Sequence, residues 1–214
     1  MHFIQKYILD KLIYAQYLRN RDMRPPHIES NLYQYHLKRL IDSGYVKKAQ
    51  QGYELSTKGL QYADKHSSDL KTQRPQPKLV TILIIENEKG EVLLVKRDKQ
   101  PFIGLYNLPS GKIHEGESLI EAGMRELLEK TGITDEINLV PSGTVHLTVA
   151  DGSDVISESY GFVLYAKLVD TDCSKGVYFD RKRTGGMYNL MPGVTEIISK
   201  ASIGHKEVLT NTTL

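Results

Sequence analysis

The sequence has 214 residues, 40% of them hydrophobic and 25% charged, with a formal net charge of +2. That length holds one large domain or two small ones, and that balance excludes wholesale disorder. The single Cys173 excludes an internal disulfide, no apolar run approaches the ~18 residues of a membrane span, and residues 1–6 lack a signal-peptide layout. A cytoplasmic protein with no membrane partner is expected.

Charge is unevenly spread. Residues 1–75 hold 13 Lys and Arg against 7 Asp and Glu, and the remainder holds 15 against 19. A basic front on an acidic back points to a polyanion for the front; lysines that only keep a small domain soluble give the same excess. From residue 3 to about 20, Phe3, Ile4, Tyr7, Ile8, Leu12, Ala15 and Leu18 keep helical spacing. Leu9, Ile13, Tyr14 and Tyr17 widen the stripe, either for a second copy in a homodimer or for burial in a small core. Arg24-Pro25-Pro26 breaks the pattern, which leaves any middle helix about one turn. Ser30 or Asn31 is expected to cap a helix from Leu32 to about Ser43, closed by Gly44. Its stripe is Leu32, Tyr33, Leu37, Leu40 and Ile41, with Gln34, His36, Lys38 and Arg39 away from it. Two alternating runs, 45–50 and 53–56, meet at Gln51-Gly52 as a hairpin, and Thr57 starts another helix through Ala63.

That order of elements over residues 3–66, with YHLKRLIDSGYV and GYELSTKG, resembles the winged helix-turn-helix family. The resemblance implies DNA as partner, with Asn31, Gln34, Tyr35, Lys38 and Arg39 facing the major groove and Lys47 and Lys48 near phosphates in the wing. A dimerisation or docking module is the alternative.

Residues 67–77 are polar and Pro-containing and read as a linker. A second domain, 78–204, opens with strands over 79–86 and 91–97 around an Asn87-Glu88-Lys89-Gly90 turn. After a loop at 101–106, residues 111–133 read GKIHEGESLIEAGMRELLEKTGI. They predict a loop feeding an acidic helix: Gly111 and Gly116 bracket a turn, Glu117-Ser118 and Glu121 give helix-start chemistry, and Gly132 gives a left-handed end. Leu119, Ala122, Leu127 and Leu128 are the packing positions. Glu126 and Glu129 share a helical face, a like-charge pair that calls for a cation, and Mg²⁺ adds substrate phosphates to one or two carboxylates. Strands are then expected at 138–140, 143–149 and 157–168, with Tyr160, Phe162, Leu164 and Ala166 on one face and Asp151-Gly152-Ser153-Asp154 as a turn. A long loop at 172–190, a helix at 196–201 opened by Pro192 or Thr195, and a frayed polar tail, 205–214, complete the chain.

Gly111, Glu117, Arg125, Glu126, Leu127, Glu129, Gly132 and Ile133 fill the pattern G-x5-E-x7-R-E-U-x-E-E-x-G-U, with U a bulky aliphatic, and so resemble the Nudix box. Tyr106-Asn107-Leu108-Pro109-Ser110-Gly111 is similar to the family's approach to it. The second Glu of the family's adjacent pair is Lys130. The resemblance implies an α/β fold: an N-terminal winged helix domain plus a C-terminal Nudix-type α/β/α sandwich with a mixed sheet. It implies cleavage of nucleoside diphosphates linked to another moiety, by water attack at phosphorus with Mg²⁺ or Mn²⁺. Carried over by position, Glu126 and Glu129 are catalytic metal ligands and Arg125 orients a box carboxylate. Gly111, Glu117, Tyr106 and Lys130 complete the ligand-binding set, Glu117 in a supporting role. Lys130 weakens the metal site, meets a phosphate or faces solvent; Glu158 or Asp180 is a candidate replacement acid. Tyr106, Phe102 and Tyr188 offer rings for a base or for packing, and His114 is expected to cap a loop or lie at the surface. Two functions follow. One is a ligand-responsive DNA-binding regulator whose Nudix-like domain binds a nucleotide-type metabolite with weak or no hydrolysis. The other is an active Mg²⁺-dependent pyrophosphohydrolase whose front domain serves assembly.

Overall fold

The computed structural model describes residues 1–65, 76–134, 137–168, 176–180, 189–201 and 207–213. The chain divides into two units: Met1–Gln76 with Asp98–Ile103 and Ala150–Ser157, and Pro77–Arg97 with Gly104–Val149 and Glu158–Leu214. Residues 66–75, most of the expected linker, lie outside the described residues.

In the first unit, α1 (Phe3–Ile13) starts at a reciprocal cap. The Ile4 N–H donates to His2 Nδ1 at 3.3 Å and the His2 N–H donates to Gln5 Oε1 at 3.0 Å. The helix stops at Ile13 rather than near residue 20. The cause is tertiary: Leu18 exchanges two backbone hydrogen bonds with Tyr53, at 2.9 and 2.8 Å, which holds it extended beside the hairpin. Gly52 permits that approach, since a Cβ there would lie 2.4 Å from the Leu18 carbonyl oxygen. Leu9 and Ile13 are fully buried with Ile4, Ile8 and Leu12, whereas Phe3, Tyr14 and Tyr17 of the wide stripe are exposed, so the core absorbs only part of it. The expected middle helix is a single 3-10 turn, Asn20–Met23.

The second long helix, α2 (Ser30–Asp42), begins after Glu29 with no side-chain cap, so neither Ser30 nor Asn31 has the expected capping role. Tyr33, Leu37 and Leu40 are buried, whereas Leu32 and Ile41 are 44% and 37% exposed. His36, placed away from the stripe by its polarity, is buried instead. Its ring stacks on His2 at 4.0 Å, which provides the contact that an apolar neighbour would otherwise make. Strands β1 (Val46–Ala49) and β2 (Gly52–Leu55) pair antiparallel from Val46↔Leu55 to Ala49↔Gly52, and α3 (Thr57–Lys65) follows.

The second unit is built on one mixed sheet. Its strands are β3 (Lys78–Asn87), β4 (Glu91–Lys96), β5 (Tyr106–Asn107), β6 (Ser110–Lys112), β7 (Val140–Asp151), β8 (Asp154–Leu168), β9 (Gly176–Asp180) and β10 (Glu207–Thr213). The order is β10-β7-β8-β3-β4-β5, with β6 beside β3 and β9 beside β4. β3 and β8 run parallel, while β3 pairs antiparallel with β4 and β6. Successive side chains of a strand point to opposite faces. Ile82, Ile84, Val92, Leu94 and Val163 therefore pack with Val194, Ile197 and Ile198 of α5 (Val194–Ala201). Leu83, Ile85, Leu93, Leu164 and Ala166 pack with Leu127 of α4 (Leu119–Thr131). A sheet with a helix on each face is the α/β/α sandwich.

Three expectations are corrected. The strands expected at 138–140 and 143–149 are one strand, β7, which starts at Val140 and runs through Pro141. The long loop contains β9, held by β4 through pairs such as Leu93↔Tyr178. The polar tail contains β10, which lies beside β7. In each case a neighbouring strand supplies the backbone partners, so the strand needs little apolar pattern of its own. On β8, Leu164 and Ala166 are buried as expected, but Tyr160 is exposed, with its ring stacked on His146. Among the described residues no helix is long and apolar enough to cross a membrane.

Candidate functional site

The site is organised by how α4 begins. Ser118 Oγ accepts from the Glu121 N–H at 3.3 Å, and Glu121 Oε2 accepts from the Ser118 N–H at 2.8 Å. This capping box holds the Glu121 carboxyl below its ordinary range, mainly through the backbone hydrogen bond at Ser118. One residue earlier, Glu117 Oε2 accepts from the His114 N–H at 2.9 Å, which folds the loop back onto the helix start. The helix ends at Gly132, in the left-handed region at φ 79°.

Arg125 joins these parts. Its Nε and Nη2 donate to the two oxygens of Glu117 at 2.6 and 2.9 Å, a bidentate pair. Nη2 also donates to the Lys112 carbonyl at 2.9 Å, and Nη1 donates to Glu126 Oε1 at 2.7 Å. Glu129 Oε1 lies 3.5 Å from the same Nη1. The Arg125 hydrogen bonds hold the Glu117 carboxyl down at about 2, with the His114 N–H adding to the effect. The guanidinium is in turn held well above its ordinary value, chiefly by Glu117.

Glu126 is the buried member of the set, 5% exposed. Its carboxyl group lies directly over Gly111: a Cβ on that residue would fall 1.8–2.0 Å from the carboxyl carbon and both oxygens. The box glycine thus makes room for the box carboxylate. Glu126 Oε1 is taken by Arg125, while Oε2 is buried and has no hydrogen-bond partner among the described residues. A buried carboxylate oxygen left in that state is costly unless something cationic or protic meets it. Glu129, one turn on, has a side chain 52% exposed. Two such carboxylates fit a hard cation that completes its shell with water and phosphate oxygens. Among the described residues no three His, Cys, Asp or Glu side chains group to hold a metal ion.

The remaining expected residues divide. Lys130 is exposed in the last turn of α4, and no hydrogen bond or salt bridge reaches its side chain from the described residues. Tyr106 is part of the structure of the unit: its N–H donates to the Asn189 carbonyl, its carbonyl accepts from the Met191 N–H, and its ring packs on the α5 side of the core. Phe102 is buried. Tyr188 and the side chain of Asp180 lie outside the described residues. Glu158 is held by His146 Nε2 at 2.9 Å, and the His146 ring stacks on Tyr160 at 4.3 Å. His114 is exposed and serves the loop through its backbone. Leu128, expected to pack, is exposed, whereas Gly123, on another side of the helix, lies close against Leu164. The sequence reading missed Thr81 and the Lys112 carbonyl. Thr81, the one polar residue in the run LVTILII, carried a signal; a backbone carbonyl carries none.

In the first unit, Asn31, Gln34, Tyr35, Lys38 and Arg39 are all exposed on α2, opposite Tyr33, Leu37 and Leu40. Gln34 Nε2 donates to Asn20 Oδ1 at 3.1 Å. In the hairpin, Lys47 pairs with Glu54 at 3.2 Å and Lys48 is exposed. No salt bridge among the described residues engages Lys38, Arg39 or Lys48.

Residues 76–172 match the family model of the NUDIX domain. Those residues are a Nudix domain. A putative 8-oxo-dGTP diphosphatase of Bacillus subtilis is 48% identical over 50 residues, which cover 23% of this chain and 32% of that protein. An ADP-ribose pyrophosphatase of Methanocaldococcus jannaschii is 35% identical over 89 residues, covering 40% of this chain and 52% of that protein. The chain thus spans about a third to a half of these curated relatives. Among solved structures, the NUDIX domain of Shewanella oneidensis NrtR, complexed with ADP ribose, superposes with a TM-score of 0.50 at 22% identity, over 66% of this chain and 95% of that one. That likeness is one of fold.

Proposed function

We propose that the Nudix domain is a Mg²⁺-dependent receptor for a nucleoside-diphosphate-type metabolite, with weak or no hydrolysis. We propose further that residues 1–66 form a winged helix module that binds DNA under its control. One observation carries the ligand reading: Arg125 holds Glu126 buried over Gly111 with one oxygen unpaired, beside the exposed carboxylate of Glu129. Glu126 and Glu129 would hold the cation, which when bound would neutralise the pyrophosphate. Arg125 keeps Glu126 aimed through its Nη1 hydrogen bond. Two carboxylates are enough to bind Mg²⁺; the third box carboxylate is replaced by Lys130, which supports binding without fast turnover. The DNA reading rests on the exposed α2 face of Asn31, Gln34, Tyr35, Lys38 and Arg39. Helix-turn-helix modules of this kind read symmetric sites in pairs, so a homodimer belongs to the same proposal.

The second reading, an active pyrophosphohydrolase, is favoured by a specific observation. Lys130 is exposed and makes no salt bridge to Glu126 or Glu129, so it need not compete for their charge. A turnover panel decides between the two: ADP-ribose, nucleotide sugars, dinucleoside polyphosphates and oxidised deoxynucleotides over a range of Mg²⁺. The receptor reading expects Mg²⁺-dependent binding by calorimetry with turnover far below the usual ~1–10³ per second. Turnover inside that range on any substrate overturns it in favour of the enzyme.

A further inference from the structure

Two buried polar atoms near the site have no hydrogen-bond partner among the described residues: Glu126 Oε2 and Thr81 Oγ1. Thr81 is fully buried in the middle of β3, in an otherwise apolar run. The two atoms are linked by register. Thr81 sits directly opposite Gly111 across the β3–β6 pair, and directly opposed residues point their side chains to the same face. That face is the one covered by α4, since Leu83 and Ile85, in step with Thr81, pack against Leu127. The position a Gly111 Cβ would take is filled by the Glu126 carboxyl group. Opposed Cβ positions lie about 5 Å apart, so the Thr81 Cβ is about 5 Å from the place that carboxyl fills, a separation that one water molecule can bridge. Two O–H···O hydrogen bonds in series span about 5.5 Å.

We propose that Thr81 is a positioning residue for Glu126, acting through one buried water that bridges Thr81 Oγ1 and Glu126 Oε2. The water satisfies both atoms and holds the carboxylate in its ligating orientation over Gly111. Its role toward a cation rests on the reading that Glu126 binds Mg²⁺. The alternative is a hydroxyl buried without a partner. The two differ in sign when the hydroxyl is replaced by a methyl group of the same shape: an unpartnered buried hydroxyl destabilises, so its removal is neutral or stabilising, whereas removal of a bridge leaves a carboxylate oxygen unpaired and destabilises.

The test uses the full chain with Thr81→Val, Thr81→Ser and Glu126→Gln, alone and combined. Without metal, Thr81→Val is expected to lower Tm in the native background and to lower it less, or not at all, in Glu126→Gln; Thr81→Ser keeps the native Tm more closely. With Mg²⁺, calorimetry is expected to show affinity weakened by about tenfold in Thr81→Val, as for loss of groups that orient metal ligands, and restored in Thr81→Ser. A metal-free Tm that rises in Thr81→Val, or equal changes in both backgrounds, overturns the bridge. If the native protein binds no Mg²⁺, the metal reading fails, and the metal-free cycle still decides for or against the bridge. If Thr81→Val does not fold, Thr81→Ala takes its place, compared with Thr81→Ser.

Discussion

Helices α2 and α4 are both 13 residues long and both carry a basic residue in the last turn, yet their charged side chains have different surroundings. On α4, Arg125 ties Glu117, Glu126 and the Lys112 carbonyl into one cluster, with Glu126 buried. On α2, Lys38 and Arg39 face solvent with no salt bridge among the described residues. Charges that are tied and buried define a fixed geometry, which suits a site that must place a cation and a phosphate. Cations left in water keep their freedom until a polyanion orders them. The same helix length therefore carries a tied, partly buried cluster in one unit and an open face in the other.

The sharpest way to break the contrast is to cut the α4 cluster. Arg125→Ala leaves Glu126 buried without its cation and is expected to cost about 3 kcal/mol, read by urea unfolding at pH 7. Its pH dependence has a definite sign. The Glu117 carboxyl is depressed from 4.5 to about 2. Its pairing therefore stabilises the folded state above pH 4.5, and that contribution is lost as pH falls through about 2. The stability gap between native protein and Arg125→Ala should narrow across that window; a gap constant from pH 5 to 2 would refute the pairing. Gly111→Ala is expected to come next. It drives a methyl group into the Glu126 carboxyl and should cost about 2 kcal/mol and abolish Mg²⁺ binding, as measured by thermal unfolding and calorimetry.

The α2 side is tested by its lack of structural effect. Replacing Lys38, Arg39, Lys47 and Lys48 together by Ala should change stability by no more than about 0.5 kcal/mol per site. DNA binding should weaken, and the slope of log affinity against log salt should drop by about 1 for each phosphate no longer neutralised. Absence of DNA binding by the native protein at low salt, over genomic fragments, would instead favour a docking module. A similarly small stability effect is expected from Lys130→Glu, about 0.5 kcal/mol through loss of a cation at the helix C-terminus. The same change should raise Mg²⁺ affinity and turnover if the third carboxylate is what the site lacks, and neither if Lys130 is merely solvent-exposed.

Much of α4 was legible in advance because its signals are local. Ser118 with Glu121 forms a cap within one turn, Gly132 supplies its own backbone freedom, and Glu117 reaches Arg125 across eight residues of loop and helix. The spacing from Gly111 to Ile133 named the box residues for the same reason. The first unit was read less well where a partner far along the chain intervened. Leu18 belongs to a helical pattern by sequence, but Tyr53 holds it extended. His36 looks like a surface residue, but His2 gives it a stacking partner.

By itself the sequence determined the apolar runs of β3 and β4, the cap and stop of α4, and the departure from the box at Lys130, because each depends on residues within a few turns of one another. Only the tertiary structure decided that β9 and β10 are strands, since their backbone hydrogen bonds come from β4 and β7. It also separated Glu126 from Glu129, burying one and exposing the other. Their helical spacing is the same face in either case. What differs is the sheet beneath, where Gly111 leaves a space that only the first of the two carboxylates is placed to fill.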